Sequence, residues 1–193
     1  MSVDLHVYSE QFSDGLIPIL TKRLNEYEMV VEVHPDFSFT NQAGFLPFKF
    51  LLTNSSFGIL KDVPLISGFE LYIDDFDLQT EKEDLNAEPS FFNKLLGKRK
   101  EEIPFASPEV EQRLKNCKKV ANFNWHASDT FENRFALLTS AILTELTQGI
   151  CYNPQDDLWC DSKDIVDNIY KEVKQIEQSL KEGELLFHEF EGW

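Results

Sequence analysis

Phe131, Phe135, Leu138, Ile142 and Leu146 recur at intervals of four, three, four and four. That spacing lays one apolar stripe along a helix, and such a helix is stable only when the stripe is buried against another layer. The flanking segments supply the layer: Lys119 to Trp125 before it and Ile150-Cys151-Tyr152 after it have the β-branched and aromatic character of half-buried strands. Asp129-Thr130-Phe131-Glu132 fits a capping box, an acceptor followed three residues later by Glu. Gly149 stands where a left-handed C-terminal cap is expected.

Leu16, Leu20, Leu24 and Tyr27 mark a second helical face near 14–27, with Ser13 as the candidate cap and Pro18 near the limit of what a first turn tolerates. Ile165, Ile169, Val173, Ile176 and Leu180 mark a third, near 162–182, before Gly183. Val3 to Tyr8, Met29 to Val33, Phe37-Ser38-Phe39, Phe45 to Thr53 and Phe69 to Ile73 read as strands separated by Pro or Gly. The expected fold is α/β of the α+β kind: a mixed, mainly antiparallel sheet of five to seven strands flanked by about three helices. A length of 193 residues suits one domain. Two subdomains, 1–90 and 118–193, joined by the basic, proline-containing segment 91–117, are the alternative.

Charge narrows the function. The chain holds 34 acids against 18 bases, a formal net charge of -16, so it lacks the cations that neutralise nucleic-acid phosphate or anionic lipid. A cationic protein partner is the complementary expectation. The acids concentrate between Asp74 and Glu88, where seven of them (Asp74, Asp75, Asp77, Glu81, Glu83, Asp84, Glu88) face only Lys82 and apolar periodicity fades, as in a solvated loop or arm. From Lys94 to Lys119 the balance reverses, with eight bases against four acids. The most apolar window, Gly44 to Leu52, contains a Lys and a Pro and is far shorter than a membrane span. The first residues carry no secretory-signal pattern, which places the expected protein in the cytoplasm.

Chemistry-bearing patterns are sparse. His6, His34, His126 and His188 sit in no metal-binding frame, and no phosphate-cradling glycine loop or nucleophile elbow occurs. No catalytic residue, metal or cofactor is therefore expected. The enzymatic alternative is a small hydrolase or metal-dependent enzyme that brings together His34, Asp36 and His126, with Asp129 completing two imidazoles and two carboxylates. Cys117, Cys151 and Cys160 are odd in number and lack CxxC spacing, so they read as reduced thiols. Cys151 reads as a small buried hydrophobe, and the role of Cys160 stays open. The tail Phe187-His188-Glu189-Phe190-Glu191-Gly192-Trp193 alternates apolar groups with acids; it either docks on its own domain or serves as a binding tail.

Phe131 to Trp159 carries a resemblance, centred on Leu143-Thr144-Glu145-Leu146-Thr147-Gln148-Gly149 followed by Ile150-Cys151-Tyr152-Asn153-Pro154-Gln155. Gly44-Phe45-Leu46-Pro47-Phe48 and Ser67-Gly68-Phe69-Glu70-Leu71 support it less closely. The helix, glycine, short strand and Asn-Pro-Gln turn resemble those of small cytosolic bacterial proteins that include immunity proteins of polymorphic-toxin and contact-dependent inhibition systems. The shared motif is structural and covers about a third of the chain, so it carries over no catalytic residue. The resemblance implies a protein that binds one toxin domain and occludes its active site without chemistry of its own. The expected partner surface is the acidic arm, Glu70, Asp74, Asp75, Asp77, Glu81, Glu83 and Asp84, with Trp159 or Trp193 as aromatic anchors.

Overall fold

The computed structural model describes residues 2–54, 57–87, 103–126, 128–161 and 163–193. Eight strands are seen among them: β1 (Val3–Ser9), β2 (Met29–Val33), β3 (Ala43–Leu52), β4 (Leu65–Asp75), β5 (Lys119–Trp125), β6 (Ile150–Asn153), β7 (Leu158–Asp161) and β8 (His188–Glu189). They form one sheet in the order β2-β3-β4-β5-β1-β6-β7. Every ladder is antiparallel. β5 pairs with β4 only from Glu70 to Asp75, and β8 takes the same flank lower down, opposite Leu65 and Ile66. Strands from both halves of the chain share the sheet, since β1 lies between β5 and β6.

Five helices are described: α1 (Ile17–Leu24), α2 (Leu78–Asn86), α3 (Pro108–Leu114), α4 (Glu132–Thr147) and α5 (Ile165–Ser179). The architecture is α+β, with one strand and two helices more than expected and no parallel pairing in the described sheet. Strand alternation explains the layers. Leu5 and Val7, Phe48 and Phe50, Phe69 and Leu71, and Ala121 and Phe123 face inward and are buried under α1, α4 and α5. Phe135 of α4 stacks on Phe48 at 4.7 Å and meets Phe50 edge-on at 4.9 Å, while Phe69 links Phe48 to Phe123 at 5.7 and 5.1 Å. Each buried ring contributes roughly 1.5–3 kcal/mol by leaving water. α4 is buried continuously from Arg134 to Thr144 because α1 and α5 flank it on the sheet. A smaller core closes the opposite face, where Leu78 of α2 and Leu114 of α3 cover Tyr8, Val120 and Ile150.

Several local expectations are corrected. The acidic stretch after Asp75 is not an arm: Asp77 caps α2 by accepting from Thr80 N at 2.8 Å. Phe37-Ser38-Phe39 is not a strand; Ser38 Oγ and Phe39 N both donate to the Asp14 carboxylate, which bends the segment and buries both rings. The Asp129 box is displaced by one residue at its start. Asp129 Oδ1 accepts from Phe131 N at 2.6 Å, whereas Glu132 reaches back to Ser128 N and Oγ at 3.0 and 2.8 Å. Gly149 is not the left-handed cap of α4; exposed Gln148 takes that conformation, with φ 52. Glycine is needed at 149 because a Cβ would lie 2.4 Å from the Tyr8 carbonyl oxygen, where β6 starts beside β1.

The tail docks on its own sheet. Leu185 is buried and Phe187 packs on the main core, Thr130 N donates to Leu186 O at 2.8 Å, and Phe190 N donates to Pro64 O at 2.9 Å. Trp193 stays 47% exposed, edge-on to His34 with ring centroids 4.8 Å apart. Among the described residues no helix is long and apolar enough to cross a membrane.

Candidate functional site

The outer face of the sheet assembles polar and aromatic side chains from strands far apart in sequence. The register sets Tyr72, Asn122, His6, Tyr152 and Trp159 in one row across β4, β5, β1, β6 and β7. A second row runs Phe45, Glu70, Asn124 and Asp4 across β3, β4, β5 and β1. Neither row holds a lysine or arginine.

Hydrogen bonding fixes how these groups are presented. A carboxylate only accepts, so Asn122 Nδ2 donates to Asp74 Oδ2 at 2.8 Å, and Asn122 Oδ1 then accepts from His6 Nδ1 at 2.7 Å. This relay sets the proton on Nδ1 of His6 and points the acidic end toward β4. Asn124 repeats the arrangement: its Nδ2 donates to Asp4 Oδ1 at 2.6 Å and its Oδ1 accepts from Ser2 Oγ at 3.1 Å. Tyr72 donates to Glu70 at 3.2 Å and Tyr152 to Asp157 at 3.1 Å. The Glu70 contact raises the Tyr72 phenol above its ordinary value, and burial with Asp157 raises Tyr152. Both remain neutral donors in the physiological range.

The aromatic side of the row is held by stacking. Tyr152 lies 4.3 Å from Trp159 at 25° and 6.2 Å from His6 at 20°. The Asn153-Pro154-Gln155 turn supports it from the edge. Pro154 has no N–H to extend the β6 ladder, and the Gln155 side-chain amide lies where a peptide would: with its oxygen and nitrogen assigned from their neighbours, it accepts from Asp4 N at 3.0 Å and donates to Asp4 O at 2.9 Å.

The expected partner residues divide between this face and its rim. Glu70 and Asp74 lie on it, and Trp159 joins it through Tyr152. Asp75 is at the rim, paired with Lys119 at 2.7 Å, and the hydrogen bond from Thr80 N holds the Asp77 carboxyl below its usual range. Glu81, Glu83 and Asp84 are exposed on α2, where Glu83 accepts from Gln79 at 2.8 Å. Trp193 lies away from these groups, against His34 beyond β2, at the opposite end of the sheet from Trp159. Lys98, Arg99 and Lys100, the basic stretch that would compete for the acids, fall outside the described residues.

His34 follows β2 and His126 follows β5, and β3 and β4 stand between those strands, an interval of roughly 14 Å at the usual strand spacing. Asp36 N donates to His34 Nδ1 at 3.2 Å within one turn, and Asp129 is turned into the core toward Ser67. Among the described residues no group of three or more His, Cys, Asp or Glu is placed to hold a metal ion. Burial pushes the Cys151 thiol up to about 12 and also raises Cys160, so both stay protonated near neutrality and are poor nucleophiles.

Asp4, His6, Tyr72, Asn122, Asn124 and Tyr152 were not singled out as site residues by the sequence pattern. Their signal is the polar member of each alternating pair, Asp4-x-His6, Glu70-x-Tyr72-x-Asp74 and Asn122-x-Asn124. It identifies an outward face but not which strands adjoin. Comparison with family models, curated proteins and solved structures found no match for the chain.

Proposed function

We propose that this chain is a non-catalytic binding protein of the immunity type, which docks a basic toxin domain in the cytoplasm on its outer sheet face and occludes that domain's active site. The observation that carries the reading is the strip from Glu70 to Tyr152, acidic and aromatic, with its amides and phenols already oriented by hydrogen bonds. Oriented donors and acceptors lower the ordering cost of association, and stacked rings supply apolar area at low entropic cost. A toxin that holds nucleic-acid phosphate presents cations to this face, and the net charge of -16 raises its encounter rate. The sequence resemblance of the Leu143–Gln155 segment to immunity proteins is the second support for the reading.

The test uses the polypeptide encoded beside this chain's reading frame. Its C-terminal domain should arrest growth when expressed alone, and co-expression of this chain should restore growth and yield a complex through purification. Arrest that persists despite co-expression sinks the reading.

A further inference from the structure

β7 ends the sheet, paired with β6 on one side and with no strand on the other among the described residues. A groove of about 750 Å³ runs along that open side. Its walls come from opposite faces of the sheet: Val110 and Arg113 from α3 on the outer face, and Ile165 and Ile169 from α5 on the inner face. Its floor is β7 itself, and both outward-pointing Trp159 and inward-pointing Cys160 line it. A pocket on one face of a sheet would be lined by one parity of the strand. A groove lined by both parities, with a helix on each side, occupies the position of a next strand.

We propose that this groove takes an extended segment of a basic partner polypeptide, which adds to β7 as a further strand. Main-chain groups of β7 provide the ladder, and successive side chains of the incoming segment alternate between the α3 wall and the α5 wall. Leu158, 51% exposed at the start of β7, is the apolar surface such a segment would cover. Charge selects the partner. Glu109, Asp161 and Glu172 stand at the groove against Arg113 and Lys163. Arg113 is already engaged, donating to Gly149 O at 3.0 Å and lying 3.6 Å from Asp161. The remaining field is acidic and favours lysine or arginine on the incoming segment. It disfavours a second copy of this chain, whose own net charge is -16. The groove lies along the sheet edge, shares only Trp159 with the outer-face rows, and its occupation needs no toxin partner.

The probe is a capped synthetic peptide of about six residues alternating valine and lysine, a normal strand length, with the same peptide N-methylated at alternate amides as the control. Amide exchange and chemical-shift mapping on the full chain read the result. The unmethylated peptide should slow exchange of amides in 158–161 at least about tenfold and shift residues of α3 and α5 beside the groove. The methylated peptide should bind at least about tenfold more weakly, since it cannot form the ladder. Glu109→Gln with Glu172→Gln, both on exposed positions, should weaken the lysine peptide and leave a valine–threonine peptide unchanged. Equal binding of the methylated peptide, shifts confined to the Tyr72–Tyr152 face, no binding at millimolar peptide, or a dimer of the chain protected along 158–161 without peptide would each overturn the proposal.

Discussion

Arg134 and Glu177 form a two-pronged ion pair inside the protein, Nε to Oε1 and Nη2 to Oε2 both at 2.7 Å, with side chains only 3% and 11% exposed. The remaining prong, Nη1, donates to the Tyr27 carbonyl at 2.7 Å. One guanidinium therefore ties α4 to α5 and to the turn between α1 and β2. It rigidifies the helical layer on which the sheet rests.

Removing one partner strands a buried charge. Glu177→Leu is expected to cost about 3–5 kcal/mol, whereas Arg134→Met combined with Glu177→Leu should lie within about 1–2 kcal/mol of the parent, because it removes both desolvation costs together. Denaturant unfolding of both variants measures the difference. A single variant as stable as the double would show that the charge is not buried in solution.

Gly149→Ala should destabilise by about 1–3 kcal/mol, since its Cβ would press on the Tyr8 carbonyl and push β6 from β1. Gln148→Gly should be neutral or stabilising by up to about 1 kcal/mol, as it relieves the left-handed backbone one residue earlier. Thermal unfolding decides the order of the two; the reverse order would mean that the glycine at 149 serves conformation rather than close approach.

These neighbours also show what was legible in the sequence. Helix α4 and the strands around it could be read because periodicities of 3.6 and 2 are local properties of the chain. α2 escaped because Leu78 is its only buried residue, too little for an apolar stripe. Phe37 and Phe39 imitated a strand because alternation signals extended backbone, while the Asp14 contacts that bend the segment come from a residue more than twenty positions away. The site was harder still. Glu70, Asp74 and Trp159 were visible as an acidic cluster and an aromatic, but His6, Asn122 and Tyr152 join them only through the register of β1 between β5 and β6, a long-range property that local pattern does not encode.

Asp129 supplies a pH dependence. It is buried, with one oxygen accepting from Ser67 Oγ and Phe131 N and the other without a hydrogen-bond partner, and burial raises its carboxyl above the ordinary range. A carboxyl raised on folding contributes stability below its unfolded pKa, about 3.9, and loses it as pH rises through the higher folded value. Asp129→Asn removes this titration. The stability of the variant relative to the parent should therefore rise from about pH 3 toward neutrality, read by denaturant unfolding at a series of pH values. A difference that stays flat across that range would place the Asp129 carboxyl in contact with solvent.

Asp74, Asp75 and Asp77 cluster where β4 ends and α2 begins, at the upper rim of the sheet. Asp74→Asn, Asp75→Asn and Asp77→Asn together remove three negative charges and keep an oxygen acceptor at each position. The Asn122 contact and the cap of α2 can both persist, because Asn caps helices as well as Asp does. The lost pair, Asp75 with Lys119, has an Asp side chain 91% exposed, and pairs so solvated contribute about 0–1 kcal/mol. The melting temperature should hardly move. Association with a basic partner should slow and become less sensitive to salt, because exposed charges act mainly on encounter and are screened over about 8 Å at physiological ionic strength. Dissociation should change less, since Tyr72, Tyr152 and Trp159 remain as the desolvated contacts. Stopped-flow association across a salt series, with unfolding measured on the same protein, separates the cases. A lowered melting temperature with an unchanged salt slope would mean that these acids serve internal pairing with Lys98, Arg99 and Lys100, and the upper rim would then have to be abandoned as a partner surface.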